Sequence, residues 1–263
     1  MGVLPPPGAA PIILVSNDDG IDAPGIAALA DALQDLGRVV VVAPDRERSG
    51  VARGISLGHP LRLSRRAEDW YTVDGTPTDC VYLAVHRLLS QAPALVVSGI
   101  NRGPNLADDV TYSGTVAAAM EATLVGIPAI AVSLDGEEPL DYRPAATFAR
   151  AVAGWVLSNG LPERALLNVN VPDTQGAPVT EFRWTRAGHR DYGHQVTTRE
   201  DPRGRPYHWI GGRFLGFTPV EGSDCDTVAA GMAAITPINL DLTHLSLMAR
   251  LASVPLPGFS LRR

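Results

Sequence analysis

The chain has 263 residues, 45% apolar and 19% charged, enough for one large domain, or a domain with an appendage, and for a real core. Its formal net charge of −6 leaves no basic excess to neutralise a nucleic-acid backbone, so a nucleic-acid polymer is not an expected partner, while a small nucleotide needs only a few local donors. The only cysteines, Cys80 and Cys225, exclude a disulfide framework and a four-cysteine zinc site and point to a reducing cytoplasm; no run reaches the roughly 18 apolar residues of a membrane span.

Residues 1–11 are uncharged and rich in Pro, Gly and Ala, and read as a disordered tail. Ile12–Ser16 is a short apolar run suited to a buried parallel strand. Ala23–Leu36 carries Ile26, Leu29, Ala30, Leu33 and Leu36 at helical spacing, with Gly37 as the stop. Val39–Ala43 is a second buried strand. Thr76-Pro77-Thr78-Asp79 opens a helix with a capping-box pattern. Ala94–Ser98 reads as a strand, Gly114–Val125 as a helix and Ala129–Ser133 as a further strand. Such alternation predicts an α/β fold, a mostly parallel sheet with helices on both faces. Ala145–Leu157 reads as a helix and Leu166–Val171 as a strand. Residues 186–212 are polar and aromatic, too poor in core positions for anything but an extended arm or hairpin and an assembly contact. Met232–Ile235 is a last strand, and Leu240–Leu251 an apolar tail of open conformation.

The chemistry-bearing residues follow strand ends. Asn17-Asp18-Asp19-Gly20 comes directly after the first strand, where an open parallel sheet presents ligands. Two adjacent carboxylates repel, and a cation offsets that cost; alternatively they close a turn or cap the next helix. Ser49, in Ala43-Pro44-Asp45-Arg46-Glu47-Arg48-Ser49-Gly50, offers a hydroxyl beyond the second strand. Asn101, in Ser98-Gly99-Ile100-Asn101-Arg102-Gly103-Pro104-Asn105, offers an amide oxygen beyond the third. The set is all oxygen, which suits Mg²⁺, Mn²⁺ or Ca²⁺ better than zinc or copper. Four protein ligands leave room for water or substrate oxygen. Ser113 is a natural N-cap, and the helix start with the Ser113 and Thr115 hydroxyls is a ready anion site. Cys80 reads as core, the six histidines show no metal-like spacing, and Asp108-Asp109 either touch the site or brace a loop.

These motifs resemble the SurE (survival protein E) nucleotidase family: Asn-Asp-Asp-Gly with Ala-Pro-Gly-Ile, Ala-Pro-Asp-Arg-x-Arg-Ser-Gly, Gly-Thr-Pro-Thr-Asp-Cys-Val, Val-Ser-Gly-Ile-Asn-x-Gly-Pro-Asn and Tyr-Ser-Gly-Thr-Val-Ala-Ala-Ala-Met-Glu, in order. The likeness is dense over residues 12–135 and thinner through Leu167–Pro172, Asp201–Gly204 and Ile235–Pro237. It implies a Rossmann-like catalytic core over 12–185, with 186–263 forming an arm and oligomerisation segment packed on it. It implies hydrolysis of nucleoside 5′- and 3′-monophosphates, often with exopolyphosphatase activity. It implies one divalent metal ion per subunit on Asp18, Asp19, Ser49 and Asn101, and phosphate contacts from Asn105, Ser113, Gly114 and Thr115. It further implies a cytoplasmic homodimer with exchanged C-terminal segments, often paired into a tetramer. Asp18 or Asp19 orients or deprotonates the attacking water, a choice the sequence leaves open. A haloacid-dehalogenase-type phosphatase wants Asp-x-Asp and an aspartyl nucleophile, which the adjacent acids do not match. A nucleotide sensor without turnover gains little from two acids where phosphate must dock.

Overall fold

The apolar runs become the strands of the central sheet. The computed structural model describes residues 10–193, 195–211, 214–254 and 257; of the tail expected over 1–11, residues 1–9 lie outside the described residues. The strands in chain order are β1 (Ile12–Ser16), β2 (Arg38–Pro44), β3 (Leu63–Ala67), β4 (Trp70–Val73), β5 (Leu95–Arg102), β6 (Ala129–Asp135), β7 (Ala165–Pro172) and β8 (Phe182–Trp184). They continue with β9 (His189–Tyr192), β10 (Gln195–Glu200), β11 (Pro206–Gly211), β12 (Phe214–Thr218) and β13 (Ala233–Asn239). The helices are α1 (Pro24–Leu33), α2 (Pro77–Leu83), α3 (Gly114–Leu124), α4 (Arg143–Asn159), α5 (Asp224–Ala229) and α6 (Leu245–Leu251).

Nine strands form the main sheet in the order β3-β4-β2-β1-β5-β6-β7-β13-β8. From β4 to β7 the strands are parallel, while β3 and β13 run antiparallel to β4 and β7. β1, β2, β5, β6 and β7 bury nearly every side chain on both faces, which explains their unbroken apolar runs. One face packs α1 and α4 through Ile26, Leu29, Leu33, Ala149 and Val152. The other packs α2 and α3 through Val81, Val116, Ala118, Ala119 and Ala122. Alanine dominates α3 because this helix is buried along almost its whole length and lies close on the sheet. No described helix is long and apolar enough to cross a membrane.

The chain leaves β1 towards β2 on one side, and β5 lies on the other side. The crevice outside their carboxyl ends is therefore a topological switch point, the usual ligand position of such sheets.

Several expectations are corrected. The helix expected over 23–36 ends at Leu33, with Gln34 as its C-cap, before Gly37 is reached. The strand expected to stop at Ser98 continues through Asn101 and Arg102, because its pairing with β6 survives across an irregularity between Ser98 and Asn101. β3 and β4, an edge pair with mostly exposed β3 side chains, carry no apolar run for the sequence to show. α2 begins as expected: the Thr76 hydroxyl accepts the Asp79 amide, and the Asp79 carboxylate accepts the Thr76 amide. The 186–212 stretch contributes an antiparallel β10–β11 hairpin with every strand residue exposed, and β12 pairs back on β9. β13, later in the chain, enters the main sheet itself. The open tail over 240–251 contains α6, none of whose residues is buried.

Candidate functional site

Asn17 closes the turn after β1. Its side-chain nitrogen donates to the Gly20 carbonyl at 2.8 Å, and its side-chain oxygen accepts the Gly20 amide at 3.2 Å. Gly20 takes φ +100°, a conformation that favours glycine. Neither acid caps α1, whose N-cap is Ala23 without a side-chain bond. With the turn closed by Asn17, Asp18 and Asp19 are left for other partners.

Asp18 is buried, and the start of α3 is aimed at it. The Thr115 hydroxyl donates a short hydrogen bond to its Oδ1. The Gly114 and Thr115 amides also lie against the carboxylate. A Cβ on Gly114 would stand 2.7 Å from the Asp18 Cβ, so only glycine permits this approach. Burial pushes the Asp18 carboxyl above its ordinary range, against the pull of the Thr115 hydroxyl and these amides. The positive end of the helix thus faces a side-chain carboxylate.

Asp19 is half-buried. Its Oδ2 accepts the Arg102 amide at 3.0 Å, which ties the β1 loop to the end of β5. Its carboxyl is pushed up to about 6, first by burial and then by the like charges of Asp18 and Glu47, against the Arg102 amide and guanidinium. Two neighbouring acids both raised in this way mark a place where a cation lowers the energy.

The irregularity in β5 re-aims Asn101. Its side-chain nitrogen donates to the Gly103 carbonyl at 2.7 Å, which turns its oxygen to within 3.4 Å of the Thr115 hydroxyl. Asp18 and Asn101 therefore meet on one atom. Ser49 is exposed, and its hydroxyl donates to Glu47 at 2.9 Å. Its loop is anchored by the Arg48 amide on the Asp18 carbonyl at 2.7 Å. Glu47 also lies 3.7 Å from Arg102. Among the described residues no group of three or more His, Cys, Asp or Glu is placed to hold a metal ion; the donor set here is instead mixed carboxylate, amide and hydroxyl oxygen, the chemistry of a hard divalent cation.

Of the expected phosphate contacts, Ser113 caps α3 by accepting the Val116 amide at 3.0 Å. The Thr115 side chain is committed to Asp18. Asn105 is buried and held by its backbone and its side-chain nitrogen. Its amide donates to Asn170 at 2.8 Å, its carbonyl accepts Asn168 and Asn170, and its side-chain nitrogen donates to Ser133 at 2.7 Å. Sequence reasoning missed Ser133, Asn168 and Asn170 as braces. The signal was present: two amides at alternate positions of the otherwise apolar Leu166–Val171 run demand buried partners. A cleft of about 320 Å³ opens beside Asp19, lined among others by Ile21, Pro24, Arg46, Arg102 and Tyr142. That volume falls within the range of small-molecule sites.

The family model for survival protein SurE matches residues 13–194. A 5′-nucleotidase SurE of Geobacter sulfurreducens is 54% identical over 246 residues, covering 92% of each chain. One from Myxococcus xanthus is 48% identical over 250 residues, 94% of this chain and 95% of that one. The crystal structure of the SurE protein from Aquifex aeolicus superposes with a TM-score of 0.82 at 44% identity, covering 92% of this chain and 98% of the other.

Proposed function

The chain belongs to the survival protein SurE family, and from that premise we propose that it is a 5′-nucleotidase, a divalent-metal-dependent phosphomonoesterase of nucleoside monophosphates. The observation that carries this is the meeting of Asp18 and Asn101 on the Thr115 hydroxyl, beside Asp19, at the switch point of the sheet. Asp18, Asp19, Asn101 and Ser49 would hold one Mg²⁺ or Mn²⁺ ion per subunit. Such an ion, when bound, supplies Lewis-acid polarisation of the phosphoryl group and neutralises developing charge.

The chain's own residues do the rest. Asp18 is the fixed ligand, because its carboxylate already receives the Thr115 hydroxyl and the first amides of α3. Asp19 is the acceptor for the water proton, because the Arg102 amide engages only its Oδ2. Water oxygen bonds to phosphorus as the P–O bond to the nucleoside breaks; Asp19 takes the water proton, and the leaving alkoxide takes a proton from solvent water to depart as the nucleoside hydroxyl. The first amides of α3 are taken by Asp18 and by the Ser113 cap, so the Ser113 hydroxyl is the donor that stabilises the phosphoryl oxygens as charge builds, and Asn105 orients the group. The cleft beside Asp19 has room for the nucleoside. The same open arrangement suits 3′-monophosphates and the end of a polyphosphate chain.

The test is the purified protein against 5′- and 3′-nucleoside monophosphates and polyphosphate, with Mn²⁺, Mg²⁺ or EDTA. Phosphate release should need a hard divalent cation and return when one is added to EDTA-treated protein. Full activity in protein stripped of metal, checked by elemental analysis, overturns the reading. A trapped phospho-aspartate would favour a covalent mechanism instead.

A further inference from the structure

The base of the arm and the start of α3 are joined by a tightly paired cluster. Residues 107–111 form a short 3-10 turn between Asn105 and Ser113. β9 follows this turn residue by residue. The Gly188 and Ala107 amides share the fully buried Asp224 carboxylate, at 2.8 and 2.9 Å. His189 lies 3.5 Å from Asp108. Arg190 donates to Asp109 Oδ2 at 2.6 Å, and the Tyr192 hydroxyl donates to Asp109 Oδ1 at 2.8 Å. The Arg190 guanidinium stacks 4.2 Å from the centre of the Phe214 ring on β12. The Arg190 and Asp109 side chains are only 12% and 20% exposed, so water screens this pair far less than a surface pair.

Asp109 works at both ends. Its side chain holds the arm, while its backbone carbonyl accepts the Tyr112 and Ser113 amides at 2.9 and 3.0 Å. Ala107 in the same turn sits at φ +52°, a conformation that alanine keeps only where its surroundings impose it. The turn is thus held in place from outside.

We propose that Arg190 is a positioning residue for hydrolysis: by holding Asp109 it fixes the 107–113 turn and the Ser113 start of α3, and so makes the phosphate end of the site depend on how the arm is packed. This rests on Ser113 being a phosphate contact. The Phe214 ring orients the guanidinium, and loss of the guanidinium leaves Asp109 to Tyr192 alone. None of the hydrogen bonds described for the Arg190 and Asp109 side chains reaches Asp18, Asp19 or Asn101. Metal affinity should therefore be spared.

The test compares Arg190→Gln, Arg190→Lys, Asp109→Asn and the Asp109→Asn/Arg190→Gln double variant in the full chain. Amide hydrogen exchange over 107–113 should quicken about tenfold in Arg190→Gln, a local opening in an otherwise folded protein. Inhibition by inorganic phosphate and kcat/KM should each weaken about tenfold, with Mn²⁺ affinity by calorimetry within about twofold, and the double variant should be no worse than the worse single one. Arg190→Lys keeps a charge on Asp109 but loses the planar stack, so it should recover part of each loss. Unchanged exchange over 107–113 in folded Arg190→Gln overturns the proposal, as do fully additive losses in the double variant. If Arg190→Gln does not fold, Arg190→Lys decides: wild-type exchange together with wild-type phosphate inhibition overturns it. A wild-type chain without phosphomonoesterase activity would defeat the function reading instead, and exchange with calorimetric phosphate binding would then judge the role of Arg190.

Discussion

Thr115 and Asp18 stand 97 residues apart in the chain, yet the Thr115 hydroxyl donates directly to the buried Asp18 carboxylate and lies within reach of the Asn101 amide oxygen. One hydroxyl on the first turn of α3 thereby sets the spacing of the two oxygens proposed to hold the metal ion, which come from the turn after β1 and from β5. Partners of this kind orient metal ligands and are worth about 10–100-fold in metal affinity.

Thr115→Val keeps the branched shape and removes the hydroxyl. The expected outcome is a fall in Mn²⁺ affinity of about 10–100-fold. Stability should fall by about 1–3 kcal/mol, the range for a lost bond to a buried charged group. Calorimetric titration of Mn²⁺ and a chemical-denaturation curve measure the two. Unchanged metal affinity would mean that Asp18 is oriented by the helix amides alone.

Asp19→Asn should cut turnover by at least about 100-fold while the fold survives. Its second consequence concerns pH. In metal-free protein the Asp19 carboxyl is pushed up to about 6 from an ordinary 3.8, first by burial and then by the nearby acids. A carboxyl raised on folding holds its proton better in the folded state. Its stabilising contribution is therefore present below about 3.8 and lost as pH rises through about 6. With EDTA at pH 7, Asp19→Asn should melt above wild type, and Mn²⁺ should raise the wild-type Tm more than the variant's. Identical melting of the two in EDTA across pH 4 to 7 would show that Asp19 carries no such penalty.

The β10–β11 hairpin stands apart from the main sheet and exposes Val196, Tyr207, Trp209 and Ile210, the last at 92%. Aromatic side chains on an exposed ribbon suit an interface, and a homodimer or tetramer is our reading of what covers them. Replacing residues 195–211 by a short turn should lower the mass seen by light scattering and leave the Tm of the remainder nearly unchanged. An unaltered mass would assign the hairpin another role.

How much of this was legible follows from where the determining contacts lie. β1, β2, β5, β6 and β7 are buried on both faces, so burial alone writes an apolar run that sequence shows directly. The capping box at Thr76 and Asp79 is local and equally plain. β3 is an exposed edge strand, Leu-Ser-Arg-Arg-Ala, and writes no such pattern. At the site, the adjacency of Asp18 and Asp19 and their place after a strand are visible in one dimension. The Thr115 bond to Asp18 and the Arg102 amide on Asp19 are not, because they join segments that only the folded sheet brings together. Ser49 is the intermediate case: its loop is tied to Asp18 through the Arg48 amide, but its hydroxyl is turned to Glu47, a contact that no local pattern writes.

The phosphate end should separate from the metal end by mutation. Ser113 accepts the Val116 amide as the cap of α3, and Asn101 lies on β5 with its oxygen near Thr115. Ser113→Ala should lose the cap, at a cost of about 0.5–2 kcal/mol of stability. It should also weaken phosphate inhibition and turnover, because the helix start loses a donor for the phosphoryl oxygens. Mn²⁺ affinity should hardly move, since the Ser113 side chain has no bond to Asp18, Asp19 or Asn101 among the described residues. Asn101→Ala should show the reverse emphasis, with metal affinity falling first and stability little changed, as Asn101 is only half-buried. Calorimetric Mn²⁺ titration and phosphate inhibition constants, measured side by side, read both axes. Equal loss of metal affinity in the two variants would make Ser113 part of the metal shell. No change in phosphate inhibition or turnover in Ser113→Ala would leave it a helix cap alone and move the anion site elsewhere.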